Sequence, residues 1–149
     1  VRECSRDLWN VFRKYHYLNH ELNRSARCHA LIYEGRAIGF CATLHSPHPK
    51  SKNLKRCSRL VVLPDYQGVG IGIRFLNIVA GYFNGLGFRY LIRTSQRNVM
   101  KGLGKSESWR LIGYGKNTPF SAISACKEFN RTISASRVTA CYEFRGSRS

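Results

Sequence analysis

The sequence predicts one domain of the α/β (α+β) class, spanning residues 1–149, and three observations predict it. The run from Arg59 to Ile73 passes from an apolar β-branched stretch through Pro64 and three glycines into a helix-like pattern. Strand-like segments before and after it alternate with further helical stretches. A chain of 149 residues with 43% hydrophobic and 22% charged residues is long enough to bury a core and has a globular balance.

In chain order, residues 5–15 read as a helix: Ser5 can cap it, Asp7 suits its positive end, and Leu8, Trp9, Phe12 and Tyr15 share a face. Residues 28–33 and 37–44 read as a hairpin around Glu34-Gly35-Arg36. Two prolines and a basic end make residues 45–53 a loop. Arg56–Leu63 is the central strand, antiparallel to the one before and ended by Pro64, which cannot donate to a ladder. Beyond the glycines, Ile73, Leu76, Asn77, Ala80 and Phe83 recur at helical spacing, with Ile78 and Val79 widening the apolar side. Gly85 and Gly87 end that helix near Asn84. A strand at 88–94, a short helix over 98–110 interrupted by Gly102 and Gly104, a loop at 116–120 and an alternating strand at 137–144 complete the set, with a basic tail after it.

Gly68, Gly70 and Gly72 stand at the mouth of the long helix, where first-turn N–H groups and the helix dipole favour an anion, most often phosphate. The spacing is not G-x-G-x-x-G, and no acid lies near residue 90, which excludes a dinucleotide fingerprint. Gly72 is followed by Ile73 rather than Lys-Ser/Thr, which excludes a Walker loop. The order strand, Pro64, Gln67-x-x-Gly70-x-Gly72, helix resembles the acyl-CoA pyrophosphate loop of the GNAT superfamily of N-acetyltransferases. Trp109-Arg110-Leu111-Ile112-Gly113-Tyr114 is similar to a second segment of that family, in which an aromatic residue precedes Gly-Phe by four.

The resemblance implies a mixed, mostly antiparallel sheet flanked by helices, its central strands splayed so that acetyl-CoA or another acyl-CoA fits between them. The implied cofactor residues are Leu60, Val61, Val62 and Leu63 on the strand, then Gln67, Gly68, Val69, Gly70, Ile71, Gly72 and Ile73, then Thr94 and Ser95. Backbone N–H near Val62 or Leu63 would stabilise the developing oxyanion while an amine attacks the thioester. Many members carry a Glu base on the central strand and a Tyr acid; here the strand has no acid and Trp109 stands in the Tyr position. The catalytic candidates that remain are His16, His20 and His45 as base, His16 leading, and Tyr17 or Tyr114 as acid. Asp65, just after Pro64 and close to the implied pyrophosphate, would repel the cofactor if it pointed inward, so it is expected to face outward.

Twenty-five Lys+Arg against 8 Asp+Glu give a net charge of +17, more than one cofactor needs. The excess points to a polyanionic partner, with DNA or RNA as the preferred acceptor and Lys50, Lys52, Lys55, Arg56 and Arg59 as its contacts. The His16-Tyr17 pair is similar to one in Mom-type DNA-modifying proteins of phages, which also look like acetyltransferases. The alternatives are a protein or polyamine acceptor, or a binding module without turnover. No two of the six cysteines are spaced as a zinc or redox pair, so no metal is expected; Cys28, Cys41, Cys57 and Cys141 read as core residues in a reducing cytoplasm. No apolar run approaches the ~20 residues of a membrane helix.

Overall fold

Strand periodicity and short turns fold the first half of the chain into an antiparallel meander, and helices then cover both faces. The computed structural model describes residues 1–16, 21–116 and 138–146. Strand β1 (Arg2–Cys4) leads into helical turns over Arg6–Leu8, α1 (Trp9–Phe12) and Arg13–Tyr15. Then come β2 (Arg27–Tyr33), β3 (Arg36–His45), β4 (Leu54–Val62), a 3-10 turn (Pro64–Tyr66) and α2 (Ile71–Gly85). β5 (Arg89–Thr94), α3 (Arg97–Lys105), β6 (Trp109–Lys116) and β7 (Val138–Phe144) follow. The sheet order is β1-β2-β3-β4-β5-β7-β6, with β4–β5 parallel and every other pair antiparallel.

Ser5 Oγ accepts from the Asp7 N–H at 3.2 Å, as its capping position predicts. The helix expected over 5–15 is broken into one α-helical turn between two 3-10 turns. The β2–β3 turn carries Glu34 at φ 49° and Gly35 at φ 74°, the paired left-handed residues of a tight hairpin. β1 was not expected; three residues of polar edge strand give no periodic signal. The helix expected to run to Arg110 stops at Lys105, because Trp109 pairs with Phe144 and opens β6. Among the loop, strand and tail expectations, residues 117–120, 137 and 147–149 lie outside the described residues, as does Cys126.

Two cores sandwich the sheet. Trp9 and Phe12 of α1 pack with Cys28, Ile38, Phe40, Ala42, Leu44, Val61 and Leu63 on one face. Phe75, Leu76, Val79, Ala80 and Phe83 of α2 pack with Cys41, Cys57, Tyr90, Ile92, Ala140, Tyr142 and Phe144 on the other. The α2 face is therefore rotated from the expected one: Phe75 is buried and Ile78 is exposed. Two pairs of polar groups that enter this core find partners, whereas the buried His29 Nδ1, beside Tyr82 and Phe83, has none among the described residues. The Tyr90 hydroxyl and Thr43 Oγ1 share a 2.7 Å hydrogen bond, and the Trp109 indole N–H donates to Asn77 Oδ1 at 2.6 Å.

Gly102 does not interrupt α3. It lets that helix lie against the first turn of α2, where a Cβ would sit 2.9 Å from Ile73 Cγ1. Gly102→Val should therefore lower stability by about 1–3 kcal/mol through overpacking, read as a fall in the urea midpoint with an unchanged slope. An unshifted midpoint would mean that the α2–α3 contact yields freely.

Candidate active site

β4 and β5 share only the register from Leu54↔Arg89 to Cys57↔Ile92. Beyond it β5 pairs only with β7, and β4 only with β3. The partners of β4 jump from Thr43↔Cys57 to Ala42↔Arg59, so Ser58 is the extra residue of a bulge at the point where the strands part. The Ser58 hydroxyl donates to Ala42 O at 3.3 Å. Peptide groups along β4 alternate between facing β3 and facing away. The Leu63 N–H donates to Ile38 O at 2.9 Å, so the N–H groups of Val62 and Leu60 face the open edge, where no described strand pairs with them. This corrects the oxyanion expectation for Leu63, whose N–H is already engaged.

The chain leaves β4 at this open end. Gln67 Nε2 donates to Val62 O at 2.7 Å and ties the loop to the strand. Gly68 at φ 88° and Gly70 at φ 76° adopt left-handed conformations, with Gly70 as the N-cap of α2. The ladder starts with the Arg74 N–H to Gly70 O at 3.1 Å, leaving the N–H groups of Ile71, Gly72 and Ile73 as unpaired first-turn donors. No acid occupies that turn, and Asp65 is exposed as expected.

Two connected cavities occupy the gap. One of about 80 Å³ is lined by Cys57, Ser58, Leu60, Ile92, Thr94 and Val99, among others. The other, about 760 Å³, is lined by Leu44, Arg56, Arg93, Ser95, Thr139 and Cys141, among others. His16, Cys57, Ser58, Arg59, Arg93, Thr94 and Gln96 line both. Alternation fixes the faces: Cys57, Ile92 and Ala140 belong to the α2-side core, so Arg56, Leu91, Arg93, Thr139 and Cys141 project to the α1 side. The larger cavity thus opens on the α1 face, opposite α2, and the gap joins the two sides.

The sequence profile of the Acetyltransferase (GNAT) family matches residues 1–104. The chain belongs to this family. The fold is similar to that of the IAA acetyltransferase from Bacillus cereus, at 16% identity and a TM-score of 0.59, over 81% of this chain and 78% of that one. It is also similar to a Bacillus subtilis acetyltransferase solved in complex with CoA, at 15% identity and a TM-score of 0.60, over 94% and 83%. A GNAT family acetyltransferase from Elizabethkingia anophelis with acetyl-CoA bound aligns at 14% identity and a TM-score of 0.58, over 95% and 83%. A search of curated proteins finds no match.

On this GNAT fold the sequence-predicted residues separate. His16 lines both cavities, its ring edge-on to Trp9 at 5.7 Å. Thr94 and Ser95 line the larger cavity, and Leu60 the smaller. Val61 and Leu63 turn their side chains into the α1-side core, and Gln67 to Ile73 form the glycine loop without lining either cavity. Tyr17 and His20 lie outside the described residues.

Two catalytic expectations are corrected by strand register. Tyr114 pairs with Ala140, so it shares the α2-side face and is 69% exposed, away from the cavities. His45 pairs with Lys55, whose ammonium lies 4.7 Å over the Phe88 ring, and lines a different depression of about 380 Å³.

The same alternation divides the basic cluster: Arg56 and Arg59 face the larger cavity, Lys55 turns to the other face, and Lys50 and Lys52 are exposed in the β3–β4 connection. Ser58, Arg93, Gln96 and Cys141 were missed; only the β5 alternation could have flagged Arg93. Cys141 is half-buried at the cavity rather than a core residue. Trp109 is buried against Tyr90 and Phe144, a core residue without acid function.

The glycine conformations give a local test. Gly70→Ala should destabilise by roughly 1–2 kcal/mol, the penalty of a left-handed L-residue, although its Cβ meets nothing within 4 Å. Gly72→Ala, inside the helix with only ordinary contact to Val62 Cγ2 at 3.7 Å, should be neutral or stabilise by up to about 1 kcal/mol. Equal effects in chemical denaturation would contradict the assigned N-cap.

Proposed function

We propose that residues 1–149 act as one acyl-CoA-dependent N-acyltransferase domain, using acetyl-CoA or another acyl-CoA, with an amine of a nucleic acid as acceptor. The observation that carries the cofactor assignment is the pairing of two features at one end of the sheet. A left-handed glycine loop there presents free first-turn N–H groups, and the β4–β5 gap, which starts at Ser58, opens toward it. A diphosphate with a long linear arm fits both, the anion at the loop and the arm along the open strand edge. Two of the similar structures were solved with CoA or acetyl-CoA, which supports the same reading.

The cofactor, when bound, supplies a thioester-activated acyl group. The N–H groups of Gly70, Ile71, Gly72 and Ile73 hold negative charge at the loop. The Val62 N–H, fixed by its strand, donates where charge develops on oxygen. The amine enters from the α1 face, where His16 lines the gap and takes its proton. Arg56, Arg59 and Arg93 around that entrance, together with the net charge of +17, support a polyanionic acceptor. The free thiols of the described cysteines support a reducing, cytoplasmic setting. No helix among the described residues is long and apolar enough to cross a membrane.

Acetyl-CoA at 100 times its dissociation constant should add about 2.7 kcal/mol of stability, raising the melting temperature by roughly 2–6 °C. Gly70→Asp, which places a carboxylate at the loop, should abolish that shift. A full shift in the variant would put the cofactor elsewhere.

The acceptor is tested by thiol release from acetyl-CoA with single-stranded and duplex DNA, RNA, polyamines and a basic peptide. Turnover with nucleic acid alone is expected; turnover only with the others would refute that acceptor. His16→Ala should slow transfer by roughly 10²–10⁴-fold with the CoA-induced melting shift retained. A loss of only a few-fold would assign the proton to water or substrate.

A further inference from the structure

We propose that Arg59, flanked by Arg56 and Arg93, forms an oxyanion-binding subsite on the acceptor side of the sheet, which holds a phosphate or carboxylate of the acceptor beside its reacting amine. The inference rests on the acyltransferase reading and assigns the acceptor's recognition element within it.

Arg59 is the first residue after the Ser58 bulge, and its side chain lies on the α1 face. Two of its nitrogens serve the fold: one terminal nitrogen donates to Ser58 O at 2.7 Å and the other to Glu21 O at 3.1 Å. These bonds anchor the guanidinium plane at the point where the strands part. The third nitrogen, Nε, is buried and has no hydrogen-bond partner among the described residues. A buried donor left unmade is costly, and a guanidinium remains charged at every working pH. Burial pulls the affinity of Arg59 for its proton below the usual value, partly opposed by Cys57 and, to a smaller extent, aided by the charge of Arg56.

The local charge also lacks an ion-pair partner among the described residues. The ion pairs among the described residues join Arg27 to Glu3 and Arg89 to Glu143, and none involves Arg56, Arg59 or Arg93. All three line the same cavity of about 760 Å³, whose described lining residues include a single carboxylate, Glu21. A planar donor fixed by two backbone carbonyls, with two further guanidinium groups around the cavity, suits an oxyanion better than a neutral or cationic acceptor. The glycine loop does not serve here, because α2 packs on the opposite face and residues 67–73 line neither cavity. The fold thus offers one anion site on each face, with the strand gap between them.

Binding to the CoA-saturated protein tests this directly. The probes are deoxyadenosine monophosphate against deoxyadenosine, β-alanine against its amide, and a short single-stranded oligonucleotide, titrated by calorimetry. The wild type should bind the anionic member of at least one pair about 10- to 100-fold more tightly, the range of a charge-assisted hydrogen bond. Arg59→Gln should erase that preference, and Arg59→Lys should restore part of it, keeping charge without the fork. Because Arg59 also braces the bulge, Arg56→Gln and Arg93→Gln, neither of which removes a bond to Ser58 or Glu21, should each lower the preference.

No anionic preference in the wild type, or one untouched in all four variants, overturns the subsite. An Arg59-dependent preference shown by the small anions, with no binding of the oligonucleotide, keeps the subsite and removes the nucleic-acid acceptor. Failure of CoA to saturate the protein removes the acyltransferase reading instead.

Discussion

The parallel ladder between β4 and β5 stops at Cys57↔Ile92, and most of what the molecule can do depends on that stop. An uninterrupted parallel pair would consume the Leu60 and Val62 peptide groups and close the sheet. The bulge at Ser58 prevents this by adding one residue to β4 against β3, which bends the strand and increases its twist away from β5. Its hydroxyl bond to Ala42 O holds the extra residue in place. The result is a sheet that is continuous through its lower half and open in its upper half, with unpaired amides along a rigid edge.

Rigidity at that edge comes from the two cores rather than from the edge itself. Val61 and Leu63 are held against Phe40 and Trp9 on the α1 side, while Cys57 and Ile92 sit in the α2-side core. Tyr90, fully buried, links β5 to β3 through Thr43, spanning the strand between them. Trp109 ties the start of β6 to α2 through Asn77. These bonds satisfy the Tyr90, Thr43 and Trp109 polar groups and brace the strands around the gap, so the first turn of α2 and the open edge of β4 keep a constant relation.

Charge is distributed to match. The two ion pairs among the described residues lie away from the gap, one on β1–β2 and one on β5–β7. Among the described residues, no ion pair joins a carboxylate to the arginines around the larger cavity, and the glycine loop adds the positive end of a helix on the other face. An acidic cofactor and an anionic acceptor can then approach from opposite faces without competing for the same donors.

Local sequence was enough for much of the frame. Pro64, the three glycines and the helical spacing after them determined the β4–loop–α2 unit, because backbone conformations open to glycine and closed to proline are properties of single residues. The hairpin at Glu34-Gly35 and the alternation of Ala140, Tyr142 and Phe144 were legible for the same reason. What faced the gap was not. A bulge reverses every side chain before it relative to those after it, and nothing in Arg56-Cys57-Ser58-Arg59 announces one. That reversal places both Arg56 and Arg59 on the α1 face, although their odd separation in an unbroken strand would put them on opposite faces. Cross-strand register, set by distant partners, likewise carried Tyr114 and His45 away from the cavities and left His16 beside them. Only tertiary structure decides such things, because a side chain's direction in a sheet is fixed by the strand it pairs with and not by its own neighbours in sequence.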